Sequence, residues 1–152
     1  MDTTKGPGPP APPLLVRWAD PAGQQDVVTL LREVPLAPRE VADLLRLRGV
    51  LVLSDVTLPP SAPPLAAAAF RRDRAAAAAE LAGIGVTAQL RRRGLGRRLL
   101  TGALTVLRAE GFERVHACAA PGAGTSLLAS AGFTAAGGAA QSGGRSRFVL
   151  LL

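Results

Sequence analysis

Arg91-Arg92-Arg93-Gly94-Leu95-Gly96-Arg97-Arg98 decides how the rest of the chain is read. It follows an apolar stretch, Leu81 to Val86, with the character of a strand. It precedes Leu99, Leu100, Leu104 and Leu107, which repeat with helical spacing. A basic, glycine-containing turn between a strand and a helix is suited to holding a phosphate. Gly94 and Gly96 carry no Cβ, so the backbone can turn sharply there and approach a ligand closely. The first amides of the following helix have no intrahelical partner and can point at an anion. The helix dipole adds about 0.3–1 kcal/mol in an exposed site, and the arginines add full charges.

The charge of the whole chain points to the same place. The net charge is +7, and removing the five arginines of this one segment leaves +2. The basicity is therefore local, as for an anion site, rather than spread over the surface. With 152 residues, 48% hydrophobic and 19% charged, the chain suits one packed domain. Four Phe, one Trp and no Tyr leave the core to Leu, Val and Ala. Cys118 is the sole cysteine, which excludes an internal disulfide. With His116, the sole histidine, it is too little for a structural zinc site, so no metal is expected. No apolar run reaches the roughly 18–20 residues that span a membrane. The N-terminus lacks the apolar segment of a signal peptide, so the cytoplasm is the expected location.

Residues 1–13 are Pro-rich and read as a disordered tail, leaving 14–152 as the domain. Leu14 to Trp18 is a strand, Asp20 to Gly23 a turn, and Asp26 to Val34 a helix ended by Pro35. Pro38 to Leu47 is a second helix closed by Gly49. Val50 to Val56 is a strand. The alanines of 65–70 and 75–79 favour helix on propensity. Yet Arg71-Arg72-Asp73-Arg74 reads as a hairpin tip and Gly83 and Gly85 oppose a helix, so two strands are expected. After the basic turn come a helix to about Glu110, a strand over Arg114 to Ala119 and a short helix over Thr125 to Ala131. A small-residue loop or hairpin, Ala135 to Gly144, leads to a terminal strand, Arg147 to Leu152. The order β-α-α-β-β-β-α-β-α-β-β is a mixed α/β layout.

That order, with this turn in this place, resembles the GNAT superfamily of acetyl-CoA-dependent N-acetyltransferases. The family signature is Gln/Arg-x-x-Gly-x-Gly/Ala between the fourth strand and third helix, and Arg91-Arg92-Arg93-Gly94-Leu95-Gly96 fits every fixed position. Ile84-Gly85-Val86 upstream and Ala131-Gly132-Phe133 downstream also resemble the pattern. The resemblance implies a single-domain fold with a mixed, twisted central sheet flanked by helices and strands splayed at the CoA site. Arg91, Arg92, Arg93, Gly94, Leu95, Gly96 and Arg97 would then hold the CoA pyrophosphate. Ile84 and Val86 would bond the pantetheine arm like an added strand, with Gly85 marking a bulge that opens the splay. An amide at Ile84 would stabilise the oxyanion.

An amine nucleophile must lose a proton. Glu80 lies six residues before Val86, and even spacing would put Glu80, Ala82, Ile84 and Val86 on one face. The resemblance makes Glu80 the candidate general base, and partial burial would strengthen it. Many relatives use a tyrosine four residues before the Gly-Phe glycine as general acid; Leu128 stands there, and Pro121 replaces the usual asparagine. Ser126 is the substitute acid candidate, beside water, Ser130 and Cys118. His116 and Cys118 share one face of their strand, as packing residues or as a catalytic pair. Trp18 reads as a packing anchor or a pocket wall.

The expected function is direct transfer of acetyl from acetyl-CoA to a primary amine of a small molecule or peptide, by a monomer or homodimer. One alternative is a degenerate fold that binds CoA without efficient catalysis. The other is a basic nucleic-acid-binding or regulatory module. The lack of interleaved aromatics weighs against nucleic acid as the partner.

Overall fold

A computed structural model describes residues 13–32, 37–59, 61–90, 93–119, 122–136 and 146–152. The strands are β1 (Leu14–Trp18), β2 (Val50–Asp55), β3 (Ala66–Asp73), β4 (Ala78–Val86), β5 (Arg114–Ala119), β6 (Thr134–Ala135) and β7 (Ser146–Leu151). The helices are α1 (Gln24–Leu30), α2 (Pro38–Arg46), α3 (Leu95–Ala109) and α4 (Ala123–Ser130). The strands form one sheet in the order β1-β2-β3-β4-β5-β7-β6. Among the described residues only β4 and β5 pair in parallel; the other neighbours are antiparallel. The Pro-rich segment lies outside the described residues but for Pro13, as does most of the expected loop or hairpin before β7.

Each helix begins and ends for a local reason. Pro38 sits in the first turn of α2, where its missing N–H costs nothing. The Glu40 carboxylate accepts from the Ala37 amide at 3.0 Å, one half of a capping box whose other half an alanine cannot supply. Ahead of α1, Asp20 accepts from the Ala22 amide at 2.9 Å and fixes a short 3-10 turn, Pro21–Gly23. α1 is shorter than its periodicity suggests. Its last turn closes with the Leu31 amide bonding the Val27 carbonyl at 3.0 Å, and the Arg32 amide then reaches the Thr29 carbonyl at 3.5 Å, a tighter turn.

The alanine-rich stretches are strands, against their helical propensity. Ala66 to Phe70 are all fully buried, because β3 is central and covered on both faces. On one face lie α3, α4, Phe112 and Phe148; on the other lie α1 and α2 with Val27, Leu31, Val41 and Leu45. Alanine leaves room for helices on both sides of the strand, and this tertiary fit overrides a preference of only tenths of a kcal/mol per residue. Arg74 to Ala77 make the hairpin turn, closed by Asp73 accepting from the Ala76 amide at 3.1 Å.

Trp18 is a packing anchor. The guanidinium of Arg72 lies 4.9 Å from its ring centre and that of Arg48 lies 5.6 Å away. Arg72 also bonds Glu110 at 3.2 Å and the Leu47 carbonyl. Burial draws the Arg72 guanidinium below its usual pKa, against the opposing pull of Glu110.

Candidate active site

The site begins where β4 and β5 part. Their register runs Ala78↔Arg114, Ala79↔Val115, Glu80↔His116 and Leu81↔Ala117, and stops. β5 continues to Ala119 and β4 to Val86, still paired with β3. Residues 82–85 thus have no ladder partner in β5, which opens a fork between parallel strands. A strand edge of this kind can accept an extended ligand through main-chain bonds.

The irregularity that accompanies the fork is at Ala82, not Gly85. Ala69 pairs with Gly83 and Phe70 with Leu81, so Ala82 is the extra residue of a bulge. Gly85 answers a different need: a Cβ there would collide with the Leu30 carbonyl of α1. The bulge also resets which way side chains point. Leu81, Ile84 and Val86 pack on the α3 side, while Ala82 packs on the α1–α2 side. Glu80, next to Leu81, is therefore on the α1–α2 side, opposite Ile84 and Val86. The one-face arrangement expected from even spacing does not hold, because one inserted residue inverts strand parity.

Glu80 is also more open than expected. Its side chain is 49% exposed and bonds Arg71 at 3.1 Å, while Arg71 reaches Glu40 of α2 at 3.3 Å. Across the fork's base, His116 shares this face with Glu80, and both line a depression of about 380 Å³. The His116 Nδ1 is buried with no hydrogen-bond partner among the described residues. Two other depressions, of about 290 and 450 Å³, lie around Arg17 and Asp20 against β1 and β2, away from the fork.

Beyond Val86 the chain is pinned to β3, with Thr87 bonding the Leu65 carbonyl through its amide at 2.9 Å and its hydroxyl at 3.0 Å. A 3-10 turn, Ala88–Leu90, leads toward α3. Arg91 and Arg92 lie outside the described residues. Gly94 caps α3 at φ +75°, a left-handed conformation suited to glycine, and offers no side-chain hydrogen bond. The first bond of α3 runs from the Arg98 amide to the Gly94 carbonyl at 3.0 Å, so the amides of Leu95, Gly96 and Arg97 precede it. Arg93, Arg97 and Arg98 are exposed, and no carboxylate among the described residues pairs with them. A Cβ on Gly96 would meet only Val86 Cγ2 at 3.6 Å and Leu127 Cδ2 at 3.8 Å. Packing within the chain therefore does not demand glycine there, whereas a ligand pressed against the backbone would.

The positions expected to supply an acid are less favourable. Leu128 is 3% exposed and packs into the core on the α3 side. Ser126 is exposed in the first turn of α4. Pro121 lies outside the described residues. The sequence flagged His116 without its partner, because the Glu80–His116 register is a property of two strands joined across α3. Among the described residues no group of three or more His, Cys, Asp or Glu could hold a metal ion. No described helix is long and apolar enough to cross a membrane.

The family model described as acetyltransferase (GNAT) family matches residues 62–133, which hold β3 to α4 and hence the fork and the glycine turn. Among solved structures, the IAA acetyltransferase from Bacillus cereus is similar at 15% identity and a TM-score of 0.68, over 92% of this chain and 100% of that one. Ard1 from Thermoplasma volcanium is similar at 14% identity and a TM-score of 0.74, over 91% of this chain and 97% of that one. N-acetylglutamate synthase from Neisseria gonorrhoeae, complexed with coenzyme A and N-acetyl-glutamate, is similar at 18% identity and a TM-score of 0.72, over 91% of this chain but 35% of that one. At these identities the likeness is one of fold. No curated protein matches the chain in sequence.

Proposed function

The chain belongs to the GNAT superfamily of acetyltransferases, and on that premise we propose that it transfers acetyl from acetyl-CoA to a primary amine by direct attack in a ternary complex. The observation that carries the proposal is the continuity of the β4 edge, open from Ala82 to Gly85, with the uncapped, arginine-flanked start of α3. A strand edge suits an amide-bearing arm and a cluster of helix amides suits a pyrophosphate. In this reading the amides of Gly94 to Arg97 hold the pyrophosphate, with charge from Arg91, Arg92, Arg93 and Arg97. The pantetheine arm lies along β4 from Ile84 to Val86. The Ile84 amide stabilises the oxyanion. Glu80 takes a proton from the acceptor on the open face it shares with the 380 Å³ depression. The acceptor is an amine-bearing small molecule or peptide.

Calorimetric titration with acetyl-CoA tests this, beside Gly96→Asp. Aspartate suits the first turn of a helix, so the fold is kept while a negative charge meets the phosphates. Binding by the unmutated chain and its loss in Gly96→Asp are expected; no binding by the unmutated chain overturns the reading. Glu80→Gln should lower the acetylation rate of a mixed amine panel more than it weakens binding. Leu128, buried where relatives carry a phenol, favours one second reading: a fold that binds CoA without turnover. Binding with no acetylation of any amine in the panel would select it.

A further inference from the structure

We propose that His116 is a catalytic residue, which takes the proton released as the new amide bond forms and returns it to the CoA sulfur. The inference rests on the acetyltransferase reading above and adds to it the group that replaces the missing phenol.

His116 stands opposite Glu80 in the parallel β4–β5 register, one step before the last paired residues, Leu81 and Ala117. It is therefore at the base of the fork, where the reactive end of an arm lying along β4 would arrive. Neighbouring strands are about 4.8 Å apart, so one bound molecule can touch both side chains. Val115 and Ala117 point into the core on the α3 side, which leaves His116 on the face of Glu80. Its Nδ1 is buried without a partner among the described residues. A buried polar atom left unpaired costs about 1–3 kcal/mol; of the two such side-chain atoms among the described residues, Ser54 Oγ lies on β2 and only His116 Nδ1 stands at the fork.

The groups around it are polar and of mixed charge. Glu80 flanks it on β4, with Arg71 of β3 beyond and Glu40 of α2 bonded to Arg71. Arg114 and Cys118 flank it on β5, and from β7 Val149 stands opposite His116 and Arg147 opposite Cys118. No other imidazole and no phenol exists anywhere in the chain, and imidazole is the side chain that exchanges protons near neutral pH.

The step balances with these groups alone. The acceptor arrives as an ammonium and loses one proton through Glu80 to solvent. Its nitrogen attacks the thioester carbonyl carbon and forms the C–N bond. A second nitrogen proton passes to His116, the C–S bond breaks, and the imidazolium returns that proton to sulfur. The third proton stays on the amide nitrogen, CoA leaves as the thiol, and His116 ends neutral.

Because His116 is the sole histidine, a protein carrying carbon-13 histidine gives one imidazole signal with no assignment problem. That signal is followed from acid to alkaline pH, with and without CoA. CoA is expected to shift the signal, as a ligand seated at the base of the fork would. His116→Asn should bind CoA as before and acetylate the amine panel roughly 10²–10⁴-fold more slowly. An imidazole signal unmoved by CoA, while calorimetry shows CoA bound, overturns the inference and leaves the acetyltransferase reading intact. A wild-type rate in His116→Asn overturns it equally. Absence of CoA binding in the unmutated protein overturns the reading itself. Should His116→Asn fail to fold, the spectrum of the unmutated protein decides.

Discussion

Replacing Gly96 with alanine should separate ligand binding from folding. In most glycine turns the two are confounded, because the residue is needed by the backbone and by the ligand at once. Here they come apart. A Cβ on Gly96 meets its nearest atoms at 3.6 and 3.8 Å, which is ordinary contact. Alanine also raises helix stability over glycine by about 0.5–1 kcal/mol. For a domain of this size that is a melting temperature raised by roughly 1–4 °C. Gly94 is the control. At φ +75°, alanine there is strained by about 1–2 kcal/mol, and melting should fall. For CoA, the Gly96 methyl would stand between the phosphates and the helix amides. Losing one charge-assisted hydrogen bond, about 1.5–3 kcal/mol, weakens binding roughly 10- to 150-fold. Thermal melts and calorimetry with CoA read both quantities on one preparation. A Gly96→Ala protein that melts higher and binds CoA with unchanged affinity would refute the argument that the ligand fronts this residue.

Three further outcomes test the framework that holds the site. Arg72→Ala removes a guanidinium stacked on Trp18 and the bond to the Leu47 carbonyl but leaves Glu110 paired with Arg74; a loss of about 1–2 kcal/mol is expected from urea unfolding, and Arg72→Lys should not restore it, since an ammonium lacks the planar fork. Ala68→Leu, in a strand buried on both faces, should cost about 1–3 kcal/mol or more by overpacking, seen as a lower melting temperature. Asp55 accepts from the Thr57 hydroxyl at 2.6 Å and the Thr57 amide at 2.9 Å, and these bonds hold its carboxyl below the usual carboxylate range. A folded value below the unfolded one means that its contribution is present above about pH 4 and lost as the pH falls further. The destabilisation in Asp55→Asn should therefore show in urea midpoints at neutral pH and fade in acid.

How far the site was legible depends on whether a feature is local. The arginine–glycine turn was readable because each of its requirements falls on consecutive residues: a glycine at a left-handed position, a helix start, and charge. The element order was readable for the same reason, through Pro38, Gly49 and the leucine spacing of α3. Even the alanine strands could be inferred, since the Arg71–Arg74 tip and the glycines at 83 and 85 opposed a helix locally. The face of Glu80 could not. It depends on Ala82 being unpaired, and nothing in Leu81-Ala82-Gly83 marks a bulge until β3 supplies Ala69 and Phe70 as neighbours. Gly85 was the more conspicuous residue, but its glycine answers the close approach of α1, a contact between segments more than fifty residues apart. His116 was hidden in the same way, since its meaning comes from Glu80 standing beside it. The half of the site that would hold the anion is thus written along the chain, while the half that would move protons is made by register between strands. A single inserted residue in β4 then has a consequence for the site. It puts Glu80 and Ile84 on opposite faces, while the β4–β5 register alone sets Glu80 beside His116.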